Sequence, residues 1–168
     1  MQIGTEQIRD LRERTGAGIM DCKRALEEHD GNVDKAENAL RDKGIAKAGS
    51  KAGRATSEGL VGAYIHAGGR VGAIIEINCE TDFVARTDEF KELVHNVAMQ
   101  IAAMAPRYLT KDELPPDSEA LPQEACLLEQ PFIKDSSKSV NDLVLELAAR
   151  VGENVRVNRF ERFSLGEN

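Results

Sequence analysis

The sequence predicts an α+β protein: a small N-terminal domain of three helices, a linker, and a core of antiparallel sheet packed with helices. Three observations carry this. Apolar residues recur at helical spacing in three short runs before residue 45. Two β-branched runs, 60–66 and 70–78, flank Ala67-Gly68-Gly69, and a Gly-Gly pair supplies the positive φ of a tight hairpin turn. A long helical pattern over 88–104 and a second one after Ser139 enclose a proline-rich stretch.

In order, Thr5 reads as an N-cap, with Gln2 and Ile3 as lead-in and Ile8 and Leu11 on the apolar face of the first helix. Thr15-Gly16-Ala17-Gly18 makes a turn. The second helix runs from about Ile19 to Glu28, with Cys22, Ala25 and Leu26 inward. His29-Asp30-Gly31-Asn32 turns into a third helix carrying Val33, Ala36, Ala39 and Leu40 and stopping before Gly44. Three helices in so few residues bury little, so residues 1–45 form a domain that leans on something else. Residues 46–57, rich in Ala, Lys, Gly and Arg, read as an exposed, partly helical linker. The core spans 58–168 in the order β-β-α-loop-α-β, with Phe90, Leu93, Val94, Val97, Ala98, Ile101 and Met104 on one broad face of its first helix. Val140, Leu143, Val144, Leu147 and Val151 line the second, which ends at Gly152.

Composition narrows the function classes. Of 168 residues, 41% are hydrophobic and 30% charged, as in a soluble globular protein. No apolar run approaches the roughly 20 residues that span a bilayer, and the N-terminus lacks a signal pattern, so a cytoplasmic location is expected. Cys22, Cys79 and Cys126 lie far apart, as do His29, His66 and His95, which argues against a disulfide framework and a zinc site. The net charge of −7 is uneven: residues 1–54 hold 11 basic against 10 acidic side chains, and the rest 11 against 19. So acidic a core does not neutralise phosphates, which disfavours nucleic acid as a partner.

No catalytic cluster assembles. The turn 15–18 precedes a helix but follows another helix rather than a strand, and no lysine closes it on a phosphate. Cys79 is followed by Glu80 and Asp82, which raise a thiol pKa and so disfavour a nucleophile. Glu80, Asp82 and Asp88 are better read as a solvated acidic turn than as a metal site. The expectation is no enzyme, no metal and no cofactor.

Surface remains. Residues 79–86, Cys-Glu-Thr-Asp-Phe-Val-Ala-Arg, join a strand to a helix, a corner from which a scaffold can present side chains. Phe83 either packs beneath the following helix, the commoner fate of an aromatic, or is offered to a partner. Ile19 and Met20 are consecutive, so at least one of them faces solvent, beside Arg12 and Lys23.

Residues 11–26, Leu-Arg-Glu-Arg-Thr-Gly-Ala-Gly-Ile-Met-Asp-Cys-Lys-Arg-Ala-Leu, and residues 78–86, Asn-Cys-Glu-Thr-Asp-Phe-Val-Ala-Arg, together closely resemble the translation elongation factor Ts family. Glu129-Gln-Pro-Phe132, Gly152-Glu-Asn154 and Arg159-Phe160 support the match, which runs in family order along nearly the whole chain. The resemblance implies an N-terminal domain of ubiquitin-associated type, an α+β core, and guanine-nucleotide exchange on elongation factor Tu. It implies that Asp82 and Phe83, flanked by Thr81 and Val84, intrude beside the magnesium and phosphate site of the partner's G domain, so that GDP leaves and GTP replaces it. It assigns Arg12, Ile19, Met20 and Lys23 to a second contact with that G domain.

Two departures qualify the match. Ile19 replaces the first methionine of the family's pair, keeping an apolar contact with altered shape. The chain has one core unit where longer members have two, and the segment 106–126 lacks the family's helical insertion. A homodimer with the C-terminal strands at its seam is therefore expected. The rivals are an adaptor that tethers a client through Ile19 and Met20 alone, and a small enzyme using Cys79.

Overall fold

The computed structural model describes residues 3–167, so Gln2 of the expected lead-in lies outside it. Helix α1 (Thr5–Thr15) starts one residue earlier than read: Gly4 is the cap, and Gln7 Oε1 accepts its N–H at 3.1 Å. Gly16, in the left-handed region, ends α1 and allows the turn into α2 (Ile19–Glu28). Asn32 caps α3 (Val33–Gly49) by accepting from the Lys35 N–H. Leu11, Cys22, Ala25, Leu26 and Ala36 form the small core of these three helices.

The stop expected before Gly44 does not occur. Helix α3 continues through Gly44 to Gly49, packs on the last long helix of the core, and buries Ala48 there. The helical part of 46–57 thus belongs to a docked helix, and the exposed turn begins only at Ser50.

Strands β1 (Glu58–Ile65) and β2 (Val71–Cys79) form the expected hairpin, with Gly68 and Gly69 at positive φ in its turn. After a short helix α4 (Asp82–Ala85), the long helix α5 (Asp88–Met104) crosses the sheet. Gly62 permits that approach, because a Cβ there would lie 2.2 Å from Val94 Cγ1. A loop with a short helix α6 (Pro122–Ala125) leads to a small hairpin, β3 (Pro131–Phe132) and β4 (Asp135–Ser139). Ser139 caps α7 (Val140–Val151) in a capping box with Asp142, and Gly152 ends it in the left-handed region. Strand β5 (Arg156–Ser164) returns beside β2, giving the antiparallel order β1-β2-β5.

The sheet has two unlike faces. Ala73, Ile75, Ile77 and Cys79 point to α5 and α7 with Phe90, Val97, Ile101 and Val140. No described helix covers the other face: Val61, Ile65, Ile74 and Phe163 are exposed there, with Leu165 just beyond β5.

Candidate functional site

The corner 79–86 is built from both ends. β2 delivers it with Cys79 fully buried. Thr81 then caps α4, its hydroxyl accepting from the Val84 N–H at 3.4 Å, and Thr87 caps α5 by accepting from the Phe90 N–H at 3.3 Å. A four-residue helix does not hold itself together, since nucleation costs more than one turn returns. Tertiary contacts hold α4: Val84 and Ala85 lie in the main core. Helical spacing then turns Phe83 outward, 79% exposed, while Val84 and Ala85 after it take the inward positions. Of the two readings of Phe83, packing beneath the helix is therefore excluded. Val84, expected among the contacts, points inward and acts as an anchor for the corner.

Asp82 is half-exposed and pairs with Arg86 at 2.9 Å along the same turn. This leaves a carboxylate beside the aromatic, with a cation available to be exchanged for another partner. Behind the corner stands Glu153, which spacing alone did not reveal. Its Oε2 accepts the N–H groups of Glu80 (3.1 Å) and Thr81 (3.0 Å), and its Oε1 accepts the Thr81 hydroxyl (2.6 Å). Asn154 donates its own N–H to Glu80 Oε1 at 2.7 Å and its side-chain amide to the carbonyls of Ala52 and Arg54. In the sequence these two residues stand out only within the Gly152-Glu-Asn154 stretch that supports the family resemblance, which gives them no role; a bond across 72 positions has no local signature.

Burial and charge both disfavour Cys79 as a nucleophile. Its pKa is pushed up to about 11, first by burial and then by the nearby Glu153 carboxylate. The direction matches expectation, but the responsible acids are Glu153 and Glu58 rather than Glu80 and Asp82. Among the described residues no cluster of three or more His, Cys, Asp or Glu side chains could hold a metal ion. No described helix is long and apolar enough to cross a membrane.

The second candidate patch lies at the α1–α2 corner. Ile19 and Met20 open α2 and are 55% and 66% exposed, so both face solvent where one was required to. Arg12 lies in the last turn of α1 and is exposed, and Lys23, one turn into α2, is held only loosely by Glu27 at 3.8 Å. Two apolar side chains flanked by two cations, on a helix pair whose inner faces are filled, make a surface suited to a protein partner.

A sequence family described as Elongation factor TS matches residues 45–120, which include the hairpin, the corner and α5. An elongation factor Ts of Thermotoga neapolitana is 47% identical, covering 99% of this chain and 99% of the relative. That of Syntrophomonas wolfei is 48% identical over 98% of this chain and 91% of its own length, and that of Fervidobacterium nodosum 44% identical over 99% and 100%. The first alignment spans 195 positions against a chain of 168, so the relative carries residues that this chain lacks. With identity of this level along almost its whole length, the chain belongs to the elongation factor Ts family.

Proposed function

We propose that the chain is a guanine-nucleotide exchange factor in translation elongation, acting in the cytoplasm on the G domain of elongation factor Tu. The observation that carries this reading is the exposed Phe83, set on a short helix that the buried Val84 and Ala85 anchor. It enters the partner near the magnesium and phosphate site with Asp82 beside it, while Thr81 holds the turn. GDP loses contacts and leaves, and GTP rebinds. Arg12, Ile19, Met20 and Lys23 make the second contact from the three-helix domain. Exchange asks no covalent chemistry of the factor: it binds the nucleotide-free partner more tightly than the GDP-bound one, and reciprocity makes GDP and factor weaken one another.

The uncovered sheet face supports a homodimer. Val61, Ile65, Ile74, Phe163 and Leu165 make an apolar surface that a second copy of the same sheet fits, with β5 at the seam. Nucleic acid and membrane are not partners in this reading.

The test is stopped-flow release of a fluorescent GDP from elongation factor Tu. Acceleration by the full chain supports the proposal. A protein that binds through Ile19 and Met20 but leaves the release rate unchanged is the tethering adaptor instead.

A further inference from the structure

The Glu153 carboxylate is fully engaged with a turn more than seventy residues away, and none of its bonds serves α7, the helix it follows. Each bond falls where α4 needs help. The N–H groups of Glu80 and Thr81 have left the β2 ladder and precede the first helical bond, so without an acceptor they are orphans. The Thr81 hydroxyl donates its proton to Glu153 and thereby keeps a lone pair aimed at the Val84 N–H. Asn154, 5% exposed, carries the linkage on to the turn that leaves α3, and Arg54 of that turn stands 3.6 Å from Glu80.

From this geometry we infer that Glu153 is a positioning residue for Phe83: its carboxylate orders the N-cap of α4, so that the aromatic is held in its partner-ready pose before contact. The inference rests on the exchange reading of Phe83. Order established in the free protein lowers the entropy cost of docking, and a side chain displaced by an ångström contributes far less. Glu153 itself need not touch the partner.

The experiment is nucleotide release from elongation factor Tu by the full-length chain, with Phe83→Ala, Glu153→Ala, Glu153→Gln and the double variant Phe83→Ala/Glu153→Ala. Glu153→Ala is expected to slow release about tenfold, the scale of a hot-spot contact. Glu153→Gln keeps a carbonyl oxygen for the two N–H groups and an amide for Thr81 Oγ1, so it is expected within about threefold of the parent. If Glu153 acts through Phe83, the double variant is no slower than Phe83→Ala alone. In the free protein, amide hydrogen exchange should quicken at Glu80 and Thr81 in Glu153→Ala and stay unchanged at Ile75 and Ile77. Should Glu153→Ala lose its fold by circular dichroism, Glu153→Asp, with the carboxylate drawn back one methylene, carries the same comparison. Parent-like release by a folded Glu153→Ala, losses that add in the double variant, or no rescue by glutamine overturn the inference alone. A parent protein that releases no nucleotide overturns the exchange reading and this role with it.

Discussion

Gly44 of α3 faces Ala149 of α7 so closely that a methyl group on Gly44 would lie 3.1 Å from the Ala149 methyl. This contact, with the buried Ala48 one turn further on, docks the three-helix domain on the core. Gly44→Ala gains about 1 kcal/mol of helix propensity and sets it against a slightly tight contact, so its stability should be near that of the parent. Gly44→Leu overfills the crossing and should cost about 1–3 kcal/mol. Urea denaturation of the two variants checks this; equal stability would show that the crossing is loose.

That glycine also shows what could be read in advance. The hairpin, α5 and α7 were legible because period-2 and period-3.6 patterns are local and each had its own turn or cap residues. Gly44 read as a stop because glycine ends helices as well as allowing close crossings, and only the presence of α7 decides between them. The exposure of Phe83 was not legible: residue type favours burial, and the answer depends on Val84 and Ala85 taking the inward positions. The strand β4, Asp135–Ser139, is short and polar, and alternation cannot announce it. Glu153 acts across the fold, where no spacing rule reaches.

The Phe83 ring has little to lose in its own protein. Phe83→Ala should leave stability within about 0.5 kcal/mol of the parent, as at other exposed sites. The same substitution should cost at least tenfold in nucleotide release from elongation factor Tu. Thermal unfolding and stopped-flow release measure the two separately, and a release rate like the parent's would remove Phe83 from the site.

Gln100 and Gln130 are both fully buried and bonded to each other. Gln100 Nε2 donates to Gln130 Oε1 at 3.2 Å and to the Pro131 carbonyl at 3.1 Å, while its Oε1 accepts the Ile133 N–H at 2.9 Å. Gln130 Nε2 donates to the Glu124 carbonyl at 2.8 Å. This fixes the loop 106–126 and the β3–β4 hairpin against α5, and gives the Gln-Pro-Phe sequence a structural task. Gln130→Met should cost about 1–3 kcal/mol by stranding buried polar partners, measured by denaturant unfolding. Exchange by the folded fraction should be unchanged.

Cys79 offers a pH signature. Its thiol donates to the Thr81 carbonyl at 3.1 Å, and folding raises its pKa from an ordinary value of 9.0 to about 11. The folded state thus holds a proton that the unfolded chain releases, so this contribution is intact below pH 9 and fades as pH rises toward 11. Cys79→Ala should show a shallower loss of stability across that interval, whatever its offset at neutral pH. In the native parent at pH 8, Cys79 should resist a thiol reagent until the protein unfolds.

The open sheet face poses the last question. Val61, Ile65 and Phe163 are each about two-thirds or more exposed and Ile74 44%, on a face that the described helices leave bare. A contiguous apolar surface of this kind marks an interaction site or an aggregation hazard. The polar pair Glu76–Arg159, joined at 2.7 Å, shares this face in the row of Val61, and Glu161 lies opposite Ile74. In an isologous dimer each copy presents this same surface, so one substitution acts twice. Light scattering should return twice the 18.4 kDa chain mass for the parent. Phe163→Glu should return the single-chain mass with unchanged secondary structure, because the residue is exposed within its own chain. A parent that runs as a monomer would reject the dimer while leaving the corner at Phe83 untouched.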